Sequence, residues 1–152
     1  VWDGIEFEIL HPPPTLPYLG NESSCVLRID GPGGSALIPG DIGEVIEARL
    51  IREQPQRLDV DLLIAGHHGS AGSTGAAFLA ATTPGEVWYS AGYRNRFDFP
   101  REEVRQRVVA AGARQSNTAE SGALSRRFEA AHDPRTYAER VRAPRWWREQ
   151  SR

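Results

Sequence analysis

Apolar and polar side chains alternate near the start of the chain with the two-residue period typical of strands. Residues 4–10 place apolar side chains on one face of an extended segment, and two further strands are predicted at residues 21–30 and 35–39. Between these two lies a Gly-Pro-Gly-Gly turn at residues 31–34, typical of a tight reversal. We therefore predict a β-hairpin formed by the second and third strands.

After residue 41, helical and strand-like segments alternate. Helices are predicted at residues 42–53, 78–81 and 100–111, and strands at residues 61–67, 85–90, 114–118 and 122–128. Asp41 followed by Glu44 matches a capping box that begins the first helix. Ser73 or Thr74 would cap the second helix. Strands alternating with helices after an early hairpin predict an α/β fold with a mixed β-sheet.

The most informative stretch is residues 61–70, where an apolar run ends in a pair of histidines flanked by glycines. Neighbouring side chains on a strand face opposite ways, so His67 and His68 share one site only if the strand ends before them. The flanking glycines permit that break. A second apolar run, at residues 36–40, ends in the carboxylate of Asp41. Aspartate and histidine at two strand ends are typical donors of a hydrolytic metal site.

The bulk properties of the chain limit its function. Its 152 residues suit one domain or part of a larger one, and a net charge of −2 gives no support for nucleic-acid binding over the whole surface. No apolar run approaches the roughly 20 residues needed to span a bilayer, and no signal sequence is present. The start at Val1 and the lack of Met predict a fragment of a longer protein. The single cysteine, Cys25, is predicted to be a small core residue.

Five short motifs follow one another in a specific order. They are NESSCVL at residues 21–27, PGDI at 39–42, HHGS at 67–70, SAGYRNRF at 90–97, and Thr118 with Gly-Ala at 122–123. Over residues 1–128 this ordered set resembles the C-terminal, metallo-β-lactamase-like domain of the ComEC family of competence proteins. Members of that family are polytopic membrane proteins that form the channel for single-stranded DNA in natural transformation.

The resemblance covers only part of that domain. The family's domain opens with a first half whose His-rich, Asp-His motif supplies several metal ligands, and that half is absent here. Residues 1–130 resemble the C-terminal half of an αββα sandwich, and an Arg- and Trp-rich C-terminal tail follows at residues 131–152. A second departure is Asp-Phe-Pro at residues 98–100, where the family commonly has Gly-His-Pro, so one imidazole is lost.

The resemblance also implies an activity and its residues. In a complete domain, two divalent metal ions, Mn²⁺ or Zn²⁺, would hydrolyse phosphodiester bonds of the DNA strand that does not enter the cell. Asp41 matches the aspartate that bridges the two ions, His67 matches a metal ligand, and His68 would be a catalytic residue at the scissile phosphate. Four further polar residues are candidates for binding the DNA substrate: Ser70, Ser73, Asn95 and Thr118.

Each candidate also has an ordinary structural interpretation. Asp41 could simply cap the helix, and an adjacent histidine pair could be packed or exposed without binding metal. Ser70 and Ser73 could cap a helix, and Asn95 could be a loop residue that tolerates a left-handed turn. The C-terminal tail could bind single-stranded DNA, lie at a membrane interface, or fold back on apolar surface.

Too few ligands are present for a complete metal site, because catalytic zinc usually needs three. We therefore expect that the chain alone is not a competent nuclease. Its expected partners are single-stranded DNA, the missing first half of the domain and the membrane channel of its parent protein. A sheet face or edge that the missing half would cover should be exposed, so self-association is expected.

Two other functions remain open at the level of sequence. One is a catalytically inactive module that packs against the channel or holds DNA, and the other is a small-molecule hydrolase of the same fold. In each ComEC-like case the parent protein is expected to be anchored in the membrane. This domain would then lie on the outer, periplasmic side of the inner membrane.

Overall fold

The computed structural model of the chain describes residues 1–128 and 135–144. Its strands are β1 (Glu6–His11), β2 (Val26–Gly31), β3 (Gly34–Ile38), β4 (Leu62–Ile64), β5 (Glu86–Tyr89), β6 (Arg114–Asn117), β7 (Leu124–Arg126) and β8 (Thr136–Ala138). Its helices are α1 (Glu44–Glu53), α2 (Ala76–Thr82), α3 (Glu102–Ala110), α4 (Thr118–Ser121) and α5 (Glu139–Arg142). Within these two ranges, each helix is too short or too polar to cross a lipid bilayer.

Six strands form one mixed sheet in the order β1-β2-β3-β4-β5-β6. β1, β2 and β3 are antiparallel, and Gly31 pairs with Gly34 at the turn of the predicted β2–β3 hairpin, which is confirmed. β3, β4, β5 and β6 run parallel to one another. The predicted α/β fold class with a mixed sheet is therefore confirmed. Because parallel strands end at one edge of a sheet, the loops that follow these four strands are neighbours.

Helices α1, α2 and α3 pack against one face of this sheet. Paired residues in register share a face, so Leu37, Leu63 and Val87 line up across β3, β4 and β5. All three side chains are fully buried, in one core with Ile46 of α1 and Val104 of α3. The helix layer therefore covers this face of the sheet and forms the hydrophobic core with it.

The opposite face of the sheet is largely apolar and only partly covered by the described residues. We call this surface the open face. Its members include Phe7, Ile9, Leu27, Ile29, Ile38, Ile64 and Trp88. Phe7 and Ile9, on the edge strand β1, are 46 % and 56 % exposed. An apolar surface beside an edge strand favours contact with a second protein surface.

We expect the chain to associate with itself through the open face. Ile9→Lys should shift the protein towards monomer in sedimentation velocity, because it places a charge on the edge strand. Val45→Lys is the matched control, since Val45 is 76 % exposed on α1, in the helix layer that covers the other side of the sheet. A wild-type protein that stays strictly monomeric at high concentration would contradict this expectation.

The last described strands form a two-stranded antiparallel ribbon of β7 and β8. Glu86, which is almost fully buried at the start of β5, accepts hydrogen bonds from Arg126 at 3.2 Å and Thr136 at 2.6 Å. The ribbon thus spans the domain boundary predicted at residue 130. The interpretations of the rest of the C-terminal tail, residues 145–152, fall outside the described residues.

The capping residues of α1 and α2 differ from the prediction. Both helices begin after a glycine, Gly43 for α1 and Gly75 for α2, and neither glycine has a side chain to cap with. Asp41, Ser73 and Thr74 therefore do not serve as N-caps, and the capping-box interpretation of Asp41 is wrong. Its carboxylate is left available for another role.

Cys25 is exposed, so the prediction that it is a small core residue is wrong. β2 begins one residue later, at Val26, whose side chain is fully buried. Alternation along an extended segment turns neighbouring side chains to opposite sides. Val26 therefore takes the inward position that the sequence pattern gave to Cys25.

Candidate functional site

The candidate site residues lie in loops at the carboxyl edge of the parallel strands. Asp41 follows β3, and the His67–His68 pair follows β4, the next strand in the sheet. Ser90 directly follows β5, and Thr118 directly follows β6. The fold thus brings together residues that are far apart in sequence, as the two apolar runs predict.

A left-handed turn carries both histidines out of β4. The strand ends at Ile64, and Gly66–Gly69 forms a tight turn in which φ is 46° at His67 and 58° at His68. Left-handed backbone at a residue with a side chain costs about 1–3 kcal/mol and persists only where surrounding structure holds it. The strand therefore breaks before the pair, and the histidines themselves carry the strain.

Two buried hydroxyl groups hold this turn. Ser73 Oγ donates to the Gly66 carbonyl at 3.0 Å, and the Gly66 N–H donates to Thr74 Oγ1 at 2.9 Å. Both hydroxyl residues are fully buried. The predicted DNA contact of Ser73 is therefore incompatible with the structure, because its hydroxyl is enclosed and already bonded. Ser70, the next residue after the turn, remains partly exposed.

Glu47 of α1 supports Thr74 and the residue after it, and nothing in the sequence distinguishes Glu47 from other carboxylates in a helix. Its side chain is only 2 % exposed and accepts the N–H groups of Thr74 at 2.5 Å and Gly75 at 2.9 Å. Burial raises the pKa of the Glu47 carboxyl from 4.5 to about 7, although the two N–H groups favour its ionised form.

This pKa makes stability depend on pH. The folded protein holds the Glu47 proton more tightly than the unfolded chain, so the stabilisation is complete below about pH 4.5 and is lost as pH rises through about 7. Between these values, wild type should lose about 3 kcal/mol more unfolding free energy than Glu47→Gln, measured by urea denaturation. Parallel pH profiles for the two proteins would contradict this prediction.

Asp41 and His68 form the central pair of the site. Asp41 Oδ1 lies 3.7 Å from His68 Nε2, and the two side chains are 37 % and 50 % exposed. His68 Nδ1 lies 2.8 Å from the Ser90 carbonyl. Since a carbonyl only accepts, Nδ1 carries a hydrogen, which leaves Nε2 as the ring nitrogen that can offer a lone pair to a metal ion. Donors that bind one metal ion at about 2.0–2.2 Å stand at a comparable separation from each other.

His67 has different surroundings. The backbone N–H of His67 donates to the Gly40 carbonyl at 2.9 Å. The His67 ring packs edge-on against Phe99, with the ring centres 5.9 Å apart. The two imidazole rings are 6.3 Å apart and differ in orientation by 69°. The structure therefore pairs Asp41 with the imidazole predicted as catalytic, His68, and places the predicted ligand His67 against an aromatic side chain.

The side chains of Thr118 and Asn95 form hydrogen bonds with nearby backbone groups. Thr118 Oγ1 donates to the Ala91 carbonyl at 2.9 Å and accepts the Ala91 N–H at 3.0 Å. Asn95 donates to the carbonyls of Gly92 and Phe99, at 3.1 and 2.7 Å. Both side chains therefore hold the backbone of the loop, and their predicted DNA contacts stay predictions. Asn95 also has no positive φ, so the left-handed-turn alternative is wrong.

Aromatic side chains of the same loop were missed by the sequence analysis. Phe97 and Phe99 stack with ring centres 5.4 Å apart, beside the histidine turn. Arg94 lies over the Tyr93 ring at 5.1 Å, and Arg96 lies over Phe97 at 4.6 Å. The available signal was the interleaving of arginine with aromatic residues at positions 93–97, a pattern that suits single-stranded nucleic acid.

The described residues do not form a complete metal centre. Across residues 1–128 and 135–144, no group of three His, Cys, Asp or Glu side chains is placed to hold one ion. Asp41 and His68 are suitable donors, but a catalytic zinc site generally has three protein ligands. Asp41 and His68 are therefore two candidate donors of an incomplete site, which we call the two-donor half-site.

No family model matches the chain. Competence protein ComA of Neisseria gonorrhoeae is 38 % identical over 123 residues, which is 81 % of this chain. ComE operon protein 3 of Bacillus subtilis is 32 % identical over 82 % of it, and Recombination protein 2 of Haemophilus influenzae is 33 % identical over 84 %. The chain spans only 18 %, 16 % and 16 % of the length of these relatives. It is therefore homologous to one segment of each, which supports the resemblance to the ComEC family.

Proposed function

We propose that this chain is the second half of a metallo-β-lactamase-like nuclease domain in a ComEC-type DNA-uptake protein. The complete domain would hydrolyse phosphodiester bonds of the DNA strand that is not transported. The observation that carries the proposal is the 3.7 Å approach of Asp41 Oδ1 to His68 Nε2 at the ends of adjacent parallel strands. Homology over 81 % of the chain to Competence protein ComA supports the biological setting.

In this proposal, Asp41 and His68 are metal ligands. The Ser90 carbonyl fixes the His68 tautomer and orients the ring, a common arrangement around metal-binding histidines. This gives His68 the ligand role that the resemblance gave to His67, whose ring packs against Phe99 instead. Bound Mn²⁺ or Zn²⁺ would neutralise charge on the scissile phosphate.

The remaining ligands would come from the first half of the domain, which lies outside this chain. The open face is the surface that this half would cover, because an αββα sandwich packs two sheets face to face. The parent protein would be anchored in the membrane, with this domain on the periplasmic side. Single-stranded DNA and the membrane channel would be its other partners.

A reconstitution experiment tests the proposal. DNA cleavage is measured with Mn²⁺ or Zn²⁺ for the 152-residue chain alone and for the same chain joined to the preceding region of its parent. We expect no cleavage by the chain alone and EDTA-sensitive cleavage by the extended protein. Metal-dependent cleavage by the chain alone that is lost in Asp41→Ala would contradict the shared site.

The two-donor half-site also favours a second candidate, a catalytically inactive module that packs against the channel or holds DNA. This candidate predicts that the extended protein, too, lacks a third ligand and does not cleave DNA with any divalent ion. The same reconstitution therefore separates the two functions.

A further inference from the structure

We propose that the loop of residues 90–99 forms a pocket that binds one unpaired base of a DNA strand beside His68. The inference deepens the proposed function, from which it takes the nucleic-acid substrate. It rests on the rigidity of the loop, its exposed aromatic ring, the size of the cavity and the nearby arginines. None of these features is needed for the metal half-site itself.

The loop is held in one shape by Asn95. Its side-chain amide donates to the carbonyls of Gly92 and Phe99, and its oxygen accepts the N–H groups of Phe97 at 3.2 Å and Phe99 at 2.9 Å. Four hydrogen bonds from one side chain fix the backbone at Gly92 and at both phenylalanines. A preorganised loop loses little conformational entropy when it binds a ligand.

One aromatic ring of the loop remains half exposed to solvent. Phe99 is half-buried against His67, and Phe97 stacks on Phe99 with an interplanar angle of 20°. Phe97 is nevertheless 50 % exposed. Arg96 lies over the Phe97 ring, so a base that stacks there would displace the guanidinium. The exposed ring, supported by Phe99, is then a suitable platform for the base.

A cavity of about 150 Å³ lies beside this platform. Its walls include His68, Ser90, Asn95, Phe97 and Phe99. The cavity has room for one planar ring system and is too small for a base pair. The base that it accepts must therefore be unpaired, as in a single strand.

Two exposed arginines supply the complementary charge. Arg94 and Arg96 lie on the same loop, and Arg96 also covers part of the Phe97 ring at 4.6 Å. A base in the pocket brings its flanking phosphates within reach of such side chains, which bind phosphate through a planar fork. Binding should therefore require both a base and a charged backbone.

The position of the pocket links it to the metal half-site. His68 lines the cavity with its ring and faces Asp41 at 3.7 Å through Nε2. A strand whose base occupies the pocket would carry an adjacent phosphodiester close to the Asp41–His68 pair. The pocket would thus select single-stranded substrate and set its register.

Binding is measured by fluorescence anisotropy with the 152-residue chain in EDTA, so that no metal chemistry contributes. The probes are a short oligo(dT), an abasic strand of the same length and charge, and thymidine monophosphate. We expect oligo(dT) to bind more tightly than either of the others. Equal affinity for the abasic strand would overturn base recognition, and equal affinity for the mononucleotide would overturn recognition of a strand.

Variants of Phe97 locate the binding. Phe97→Leu keeps apolar volume but removes the stacking ring, and should weaken oligo(dT) binding by roughly 5- to 100-fold. Phe97→Trp should retain or improve binding, because a ring is restored. Phe7→Leu is the matched control, since Phe7 is similarly exposed on β1 and should bind like wild type. Unchanged binding by Phe97→Leu would overturn the proposal.

This test is independent of the nuclease proposal. If the chain binds oligo(dT) through Phe97 while the extended protein does not cleave DNA, the pocket is supported and the nuclease function fails. If the extended protein cleaves DNA while Phe97→Leu binds as wild type does, the nuclease function stands and the pocket fails.

Discussion

In the complete domain, His68→Asn should reduce metal-dependent DNA cleavage by at least about 100-fold, because even residues that only orient a metal ligand contribute roughly 10- to 100-fold. Asparagine is chosen because it tolerates the left-handed backbone at this position, where φ is 58°. The substitution therefore removes the imidazole and keeps the turn. Single-turnover cleavage of a labelled oligonucleotide measures the effect, and circular dichroism verifies the fold.

His67→Asn is the matched control, since the neighbouring residue has a similar backbone with φ of 46° and carries the same ring. Its ring packs on Phe99 rather than facing Asp41, so we expect less than about a tenfold loss of cleavage. Asp41→Asn should behave like His68→Asn. A larger loss in His67→Asn than in His68→Asn would show that the ligand assignment derived from the sequence resemblance is the better one.

Gly69→Ala should lower the free energy of unfolding by about 2–5 kcal/mol. Gly69 has φ of 87°, and a Cβ there would lie 2.6 Å from Pro100 Cβ and 2.9 Å from Pro100 Cα. The Gly69 carbonyl also accepts the Arg101 N–H at 2.9 Å, so the turn cannot move without disturbing the start of α3. Urea denaturation measures the loss.

Two other glycines distinguish the two causes of that loss, which are the positive φ and the close contact with Pro100. Gly112 has φ of 77° with open space where a Cβ would stand, and Gly72 has open space without a positive φ. Gly112→Ala should therefore lose only about 1–2 kcal/mol, and Gly72→Ala should stay within about 0.5 kcal/mol of wild type. Equal losses in Gly69→Ala and Gly112→Ala would mean that the contact with Pro100 does not constrain the histidine turn.

The layout of the sheet could be predicted from local signals. The glycine-rich turn fixed the β2–β3 hairpin, and the two apolar runs indicated that Asp41 and the histidines follow neighbouring strands. Both signals depend on residues close together in sequence. The same local reasoning failed for the helix caps, because glycine backbones at Gly43 and Gly75 begin the helices without leaving a side-chain signature.

The orientation of the two histidines could not be predicted, because it depends on distant contacts. The left-handed turn is held by Ser73 and Thr74, and Thr74 is held in turn by Glu47 of α1. Sequence spacing shows two imidazoles at a strand end, but the identity of the one that faces Asp41 depends on these hydrogen bonds.

The surroundings of the polar candidates could not be predicted for a related reason. A threonine or asparagine near a strand end has the same appearance in sequence whether it faces solvent or bonds to the backbone. Thr118 and Asn95 do the second, pinning residue 91 and the loop of residues 92–99. The aromatic residues beside them are the basis of the proposed base pocket, because an exposed ring has no backbone bond to satisfy.

Asp41 and His68 are proposed to bind the same metal ion. Titration of the chain, with ¹⁵N-labelled histidine, with Mn²⁺ is the most direct test of this shared coordination. The His68 Nε2 signal should broaden first, and Asp41→Asn should abolish this selectivity. Buried His11, which bonds to the Glu22 carbonyl at 2.8 Å, should be unaffected at the same concentration. Broadening of His67 before His68, or selective broadening of His68 that persists in Asp41→Asn, would contradict the claim.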